Sequence, residues 1–270
     1  MKIVTFQGGI GNQMFQYQFY LWLKTHTPER IWGYFPAKGL KAHNGLEVDK
    51  CFENVLLPPT NILICCIAKV LKVLERIKLK KTVSRADCFD LEKVVFEDYW
   101  LDLNYFTSFR FDFNVSMLKN NTKNIEILKQ INLNQSVAIH VRRGDYVSAK
   151  YSDLYAGVCD VNYYKKAIDY VSSLSNTVVF YVFSDDIAWV SENLSIPNAI
   201  FVDWNKAENS CIDLYLMSQC KMNIIANSTF SWWAAYNGSN REKTVVAPKR
   251  WFGSSKYTEP NIFPETWIRL

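Results

Sequence analysis

Short continuous apolar runs separated by amphipathic stretches dominate the second half of the chain. Ser136–Val141, Thr177–Phe183, Ala199–Val202, Met222–Ala226 and Thr244–Ala247 are such runs, rich in valine, isoleucine and phenylalanine. Strands buried on both faces inside a parallel sheet read this way. Between the runs, Asn162–Leu174, Ile187–Leu194, Cys211–Met217 and Phe230–Tyr236 carry helical spacing, with Asn162 placed to cap the first. Repeated alternation of strand and helix predicts an α/β fold with a doubly wound parallel sheet.

The first half is less regular. A strand over residues 2–6 runs into a glycine loop at 8–11 and an aromatic-rich helix near 12–24. Residues 25–61 and 82–110 read as irregular. Between them, residues 62–81 form a basic helical pattern. Leu63, Ile67, Val70, Leu74 and Ile77 make one stripe at three- and four-residue spacing, with Lys69, Lys72, Arg76, Lys78, Lys80 and Lys81 between and beyond. This fits either an ordinary surface helix packing its stripe on a core, or a helix that meets a membrane surface or a partner. The expected domains are 1–135 and 136–270, with the last residues packing back on the first.

Composition narrows the classes. A chain of 270 residues, 49% hydrophobic, can bury one large core or two modest ones, which excludes disordered and collagen-like proteins. A net charge of +5 suits an anionic small ligand or a membrane surface and is too small for a dedicated nucleic-acid binder. The 7 cysteines are odd in number and none forms a Cys-x-x-Cys pair, so neither a disulfide framework nor a zinc site is supported. Reduced thiols are the simpler expectation. The N-terminal residues lack an export signal, and the apolar run Ile62–Ala68 is far short of the about 20 residues that span a bilayer. A soluble or peripheral cytoplasmic protein is expected.

Ligands of open parallel sheets bind outside the carboxyl ends of the strands. Four such ends are polar here. Gln7-Gly8-Gly9-Ile10-Gly11-Asn12-Gln13 lets backbone N–H groups and a helix N-terminus approach an anion, or makes a tight turn. It misses a dinucleotide fingerprint, because Met14 stands where the third glycine belongs and no acidic residue follows about 20 positions on. His140-Val-Arg142-Arg143-Gly144-Asp145-Tyr146 places two arginines and a carboxylate at a strand end. A guanidinium there can hold a diphosphate in bidentate fashion, or an Arg–Asp pair can close the loop. Ser184-Asp185-Asp186 can accept hydrogen bonds from a base or ribose, or cap a helix. Asn227-Ser228-Thr229-Phe230-Ser231 sets hydroxyls and an amide at a strand-to-helix turn, where helix N–H groups favour an anion. Trp232 and Trp233 fit core packing better than a sugar platform. No Asp-x-Asp arrangement is present among these motifs, which favours metal-independent chemistry.

Together and in this order, Gly8–Tyr17, His140–Tyr146, Phe183–Asp186 and Asn227–Trp233 resemble glycosyltransferase family 11, the bacterial α-1,2-fucosyltransferases. The resemblance implies a GT-B-type architecture, two Rossmann-like domains facing a cleft, with an acceptor-side domain first and a GDP-fucose-binding domain second. It implies inverting transfer of L-fucose from GDP-β-L-fucose to the 2-hydroxyl of a galactoside, lactose-like or lipid-linked, in bacterial surface glycan synthesis. No metal or other cofactor is required. By position, Arg142 would hold the diphosphate, and His140 with Asp185 or Asp186, beside Ser184, would meet the guanine or ribose. Asn227, Ser228 and Ser231 would line the phosphate side, with Gly9, Gly11 and Asn12 contributing backbone groups. Asp145 is the motif carboxylate, either a base for the acceptor hydroxyl or a partner of Arg143. Lipid-linked acceptors would bring the enzyme to the inner face of the membrane. Two other classes fit parts of the sequence: a nicotinamide-dependent oxidoreductase, and a non-catalytic nucleotide- or polyanion-binding module.

Overall fold

The computed structural model describes residues 1–41, 43–148, 152–155, 157–238 and 243–270, with the side chains of 119, 120, 145, 147, 152 and 208 outside the described set. The chain divides into two compact units, Met1–Asn114 and Val115–Leu270.

The first unit is built on a parallel sheet ordered β2-β1-β4-β3, with β1 Lys2–Thr5, β2 Ile31–Tyr34, β3 Val83–Ser84 and β4 Val95–Phe96. The three strands β2 to β4 fall in the stretches whose sequence reads as irregular, because runs of two to four residues show no period. Helix α1, Ile10–His26, follows β1 and is buried on nearly every side. Its three buried glutamines are all hydrogen-bonded through both the amide nitrogen and the amide oxygen. The Gln13 amide donates to the Gly8 and Gly45 carbonyls at 2.9 and 2.8 Å, and accepts the N–H groups of Glu47 and Val48 at 2.9 and 3.2 Å. Gln16 bridges the Gln7 N–H and the Asp98 carbonyl, and Gln18 holds Thr107 and the Phe109 carbonyl. Leaving one such buried group unpaired costs about 1–3 kcal/mol. These amides therefore stitch the irregular segments to one rigid helix. Aromatic packing adds to it: Phe19 stacks on the buried Trp100 with ring centres 3.8 Å apart.

Helix α2, Ile62–Arg76, is capped by Asn61, whose side chain accepts the Ile64 N–H at 2.9 Å. Its buried face is not the expected stripe. Ile64 and Ala68 pack against Ile3, Tyr34, Val83 and Val95, with Cys65, Ile67 and Leu71 at the margin, while Leu63, Val70 and Ile77 face solvent. The helix is apolar enough to offer two stripes at the same spacing, and the shape of the sheet surface selects between them.

The second unit holds a six-stranded all-parallel sheet, ordered β10-β9-β8-β5-β6-β7. Its strands are β5 Gln135–Val141, β6 Val178–Ser184, β7 Ala199–Val202, β8 Met222–Ile224, β9 Thr244–Ala247 and β10 Ile268–Arg269. The chain starts in the centre, runs to one edge through β7, returns to β8 beside β5, and then winds to the other edge. This doubly wound order has its topological switch point between β5 and β8. The helices are α3 Thr122–Leu133, α4 Val161–Leu174, α5 Ile187–Asn193, α6 Ser210–Gln219 and α7 Thr229–Tyr236. The core between sheet and helices includes Val137, Ile139, Phe180, Val182, Tyr164 and Ile224.

Several expectations are corrected. The division falls at 114/115 rather than near 135, because α3 belongs with the second unit. Asn124 of α3 exchanges amide hydrogen bonds with Asn205 at 2.9 Å and accepts the Trp204 indole N–H at 2.7 Å, while Asn205 also donates to Asp213 at 2.7 Å. The last residues form β10, which pairs with β9 at the edge of the second sheet. Helix α4 is capped by Asp160, whose carboxylate accepts the Tyr163 N–H at 2.8 Å, and Asn162 lies inside the first turn. Cys65, Cys66, Cys88, Cys159 and Cys220 are free thiols.

Burial pushes the Asp213 carboxyl up to about 8, against a smaller lowering by the Asn205 amide. The folded state therefore holds a proton there that the unfolded chain releases above the ordinary carboxylate range. Stability linked to this group is full at acid pH and declines as pH rises from about 4 to about 8. Asp213→Asn, which keeps the acceptor for Asn205, should flatten that decline. Denaturant midpoints of both proteins across this range measure it, and the difference between them should widen with pH.

Candidate active site at the switch point

Parallel register brings the site's charges together. Val141 of β5 stands opposite Ser184 of β6, so continuing the ladder by one and two residues sets Arg142 against Asp185 and Arg143 against Asp186. Both pairs form. The Arg142 guanidinium meets Asp185 Oδ2 at 2.7 Å, and Arg143 Nε meets Asp186 Oδ2 at 3.1 Å. The other Asp185 oxygen accepts the backbone N–H of Arg143 at 2.9 Å. The other Asp186 oxygen accepts the Trp189 N–H at 3.2 Å and so caps α5, while Ser184 Oγ accepts the Asp186 N–H at 3.0 Å. The Arg143 guanidinium also lies 3.9 Å over the Trp189 ring. Arg143 and Asp186 thus tie the strand end to α5. Arg142, only partly covered, is oriented by Asp185 and flanked by the Tyr146 ring at 5.6 Å.

His140, one residue inside the strand, is buried, and its Nδ1 has no hydrogen-bond partner among the described residues. Burial, aided by the Arg142 charge, pushes its pKa down to about 3, so the ring is neutral at physiological pH. A neutral imidazole with an unused nitrogen is a recognition group rather than an acid–base catalyst there. Its backbone is fixed by the Tyr164 hydroxyl, which donates to the His140 carbonyl at 3.0 Å.

Across the switch point, Tyr146 Oη donates to the Asn227 carbonyl at 3.1 Å and so joins the loop after β5 to the turn after β8. The Asn227 amide donates to the Trp251 carbonyl at 3.0 Å, and the Glu259 carboxylate accepts the Trp251 N–H at 2.6 Å. Tyr163 fixes the same turn from below, donating to the Ile225 carbonyl at 2.6 Å. Ser228 is the N-cap residue of α7 and its side chain makes no capping bond, leaving the hydroxyl beside the helix N-terminus. Ser231 departs from expectation. It is buried, with its hydroxyl 3.3 Å from the Ala226 nitrogen and 3.4 Å from the Ser228 carbonyl, so it shapes the turn instead of lining the phosphate side. Trp232 and Trp233 are core residues, as expected.

The second unit therefore gathers His140, Arg142, Ser184, Asp185, Asp186, Asn227 and Ser228 at the carboxyl ends of adjacent strands. Asp185, Asp186 and Asn227 already have protein partners, so their first role is to hold the arginines and the loop. Asp145 lies on the 3-10 turn Gly144–Val147 and its side chain is outside the described residues. Tyr146, Tyr163, Tyr164 and Trp251 were not legible as site residues, because an isolated aromatic in sequence does not announce which backbone carbonyl it will reach. Gly9, Gly11 and Asn12 lie in the first unit. Gly8, with φ of +80°, makes the turn; its N–H bonds to the Gly39 carbonyl, and Gly9 O accepts the N–H groups of Asn12 and Gln13.

Two parallel-sheet units, the second ending in a cationic switch point, define a GT-B-type glycosyltransferase fold. Among solved structures, the fucosyltransferase NodZ from Bradyrhizobium aligns over 88% of this chain and 93% of its own, with TM-score 0.51 and 15% identity. An α-1,2-colitosyltransferase from Escherichia coli is 30% identical over 97% of this chain and 96% of its own. The O-antigen biosynthesis glycosyltransferase WbnK of Escherichia coli is 39% identical over 136 residues, half of this chain and 44% of that protein. The model of glycosyl transferase family 11 matches residues 74–270. The chain belongs to that family.

Gly144 tests the arrangement of the cation. A methyl group there would stand 2.5 Å from Asp185 Oδ2 and 3.3 Å from its Cγ. Gly144→Ala should push the carboxylate off Arg142 and lower affinity for a nucleoside diphosphate by about tenfold, with little change in unfolding midpoint. Titration calorimetry with GDP measures this; unchanged or tighter binding would mean that Asp185 restrains Arg142 rather than orienting it.

Proposed function

We propose that the protein transfers L-fucose from GDP-β-L-fucose to the 2-hydroxyl of a terminal galactoside with inversion, forming an α-1,2 linkage in bacterial surface glycan synthesis. The observation that carries this reading is Arg142, held by Asp185 at the switch point two residues beyond a neutral buried His140. In the reaction the acceptor oxygen bonds to the anomeric carbon, the bond from that carbon to GDP breaks, and the hydroxyl proton passes to a base. Charge grows on the departing diphosphate. A preorganised guanidinium and helix N–H groups stabilise it in the transition state without reorganising. Family resemblance and this cationic end support a diphosphate neutralised by protein, without metal or other cofactor. His140, with its free nitrogen, is a donor-side contact. Asp145 is the carboxylate proposed to take the acceptor proton. The enzyme is proposed to act in the cytoplasm on a lactose-like or lipid-linked acceptor. Among the described residues, no helix is long and apolar enough to cross a membrane.

A second sugar is favoured by a specific observation: the relative matching almost the whole chain is named for colitosyl transfer. Incubation of lactose with GDP-fucose or GDP-colitose, read by mass and linkage, separates the two. An α-1,2-linked fucoside formed in excess EDTA is the expected product. Transfer of colitose alone, or activity restored only by Mg²⁺ or Mn²⁺, would replace the reading.

Arg142→Lys keeps the charge and loses the planar fork. Turnover of the folded variant should fall by about 10²-fold or more. Steady-state rates with a soluble acceptor, alongside circular dichroism, check it.

A further inference from the structure

Helix α2 presents a second apolar face that the fold leaves uncovered. Leu63, Val70 and Ile77 repeat at seven-residue spacing and are 66%, 56% and 61% exposed, joined by Val73 at 55%, Ile62 at 84% and, beyond the helix, Leu79 at 72%. Cys66, also exposed, lies within the same stripe. Single exposed apolar residues need no explanation, but four large ones on one side of a 15-residue helix, continued past its end by Ile77 and Leu79, do.

The charges around this face are of one sign. Lys69 and Arg76 run along one edge, and Lys78, Lys80 and Lys81 follow the helix end, all exposed. The lone acid between residues 62 and 81, Glu75, is turned to the sheet side, where it accepts the Thr82 N–H at 2.6 Å and faces Arg85. The cationic edge borders a groove of about 590 Å³ in which Lys69, Lys72, Arg76 and Arg85 outnumber Glu75 and Glu97. Glu97 pairs with Lys72 and lies 3.7 Å from Arg85, so among the described residues Lys69 and Arg76 are the cations without an ion pair in that groove.

We infer that this face of α2 is a docking surface for an anionic lipid bilayer. An apolar row framed by lysine and arginine, with its one acid turned away, matches an interfacial helix: the row enters the headgroup boundary while the cations meet lipid phosphates. A protein partner would have to be both apolar in a row and acidic on its rim. A second copy of this chain would place like charges against like charges. The inference is independent of the donor and acceptor assignments, because it concerns residues on the outer face of the first unit.

Flotation with vesicles of phosphatidylcholine alone, and of phosphatidylcholine with 30% phosphatidylglycerol, tests it at low and physiological salt. The full chain should float with the anionic vesicles, and with the neutral ones at least tenfold less. Leu63→Ser with Val70→Ser and Ile77→Ser removes the row. A separate variant, Lys69→Gln with Lys78→Gln, Lys80→Gln and Lys81→Gln, removes the charge. Each should lower vesicle affinity by tenfold or more, with transfer to soluble lactose and the thermal midpoint unchanged. A charge-matched control, Lys165→Gln with Lys166→Gln, Lys206→Gln and Lys256→Gln, should leave binding intact. Failure of the full chain to float, or equal loss in the control, overturns the inference. So does a concentration-dependent dimer, seen by light scattering and abolished by the serine variant, which would assign the face to self-association.

Discussion

Two ion pairs that follow from strand register organise the functional half of this molecule. In a parallel ladder each residue of β5 faces the β6 residue 43 positions later, as Val141 faces Ser184. Arg142 and Arg143 then meet Asp185 and Asp186 without any further search. A slip of one residue would turn every buried side chain of β5 to the opposite face, so the apolar core of the sheet enforces the meeting of the charges beyond it. The constraint runs from Val137, Ile139, Phe180 and Val182 inside to the two arginines outside.

The two pairs do different things. Arg143 is committed to structure: Nε to Asp186, guanidinium over Trp189, and Asp186 capping α5. Arg142 meets the Asp185 carboxylate, with the Tyr146 ring 5.6 Å away. A diphosphate accepts the bidentate fork of a guanidinium, and Asp185 orients that fork toward the rim of the sheet. Gly144 is needed for the same reason, since any side chain would occupy the space of the Asp185 oxygen. Buried His140 stays uncharged, because protonating it beside Arg142 in a dry strand end is costly.

The first unit shows how polar residues with a chemical look serve architecture. Gln13, Gln16 and Gln18 sit near the glycine loop, and all three amides are consumed by backbone groups of distant segments. That makes α1 the spine of a unit whose strands are very short. The same unit carries the uncovered row of α2, where apolar content exceeds what the small sheet can bury.

By itself the sequence determined the long buried strands and the helices between them: the edges of β7 and β9 coincide with their apolar runs, and those of β5 and β6 lie within a residue. It also determined that polar chemistry collects after β5, β6 and β8, because carboxyl ends of buried strands tolerate charge only at the sheet's rim. The tertiary structure alone decided which arginine is structural, that Ser231 turns inward and that α3 joins the second unit. It also decided that β10 closes the second sheet and which of two stripes on α2 is buried. Each of these depends on contacts between residues far apart in the chain, such as Arg143 with Asp186 or Asn124 with Asn205. Local period and propensity report only the turn of helix or strand a residue occupies, and the partner across space is set when the layers pack.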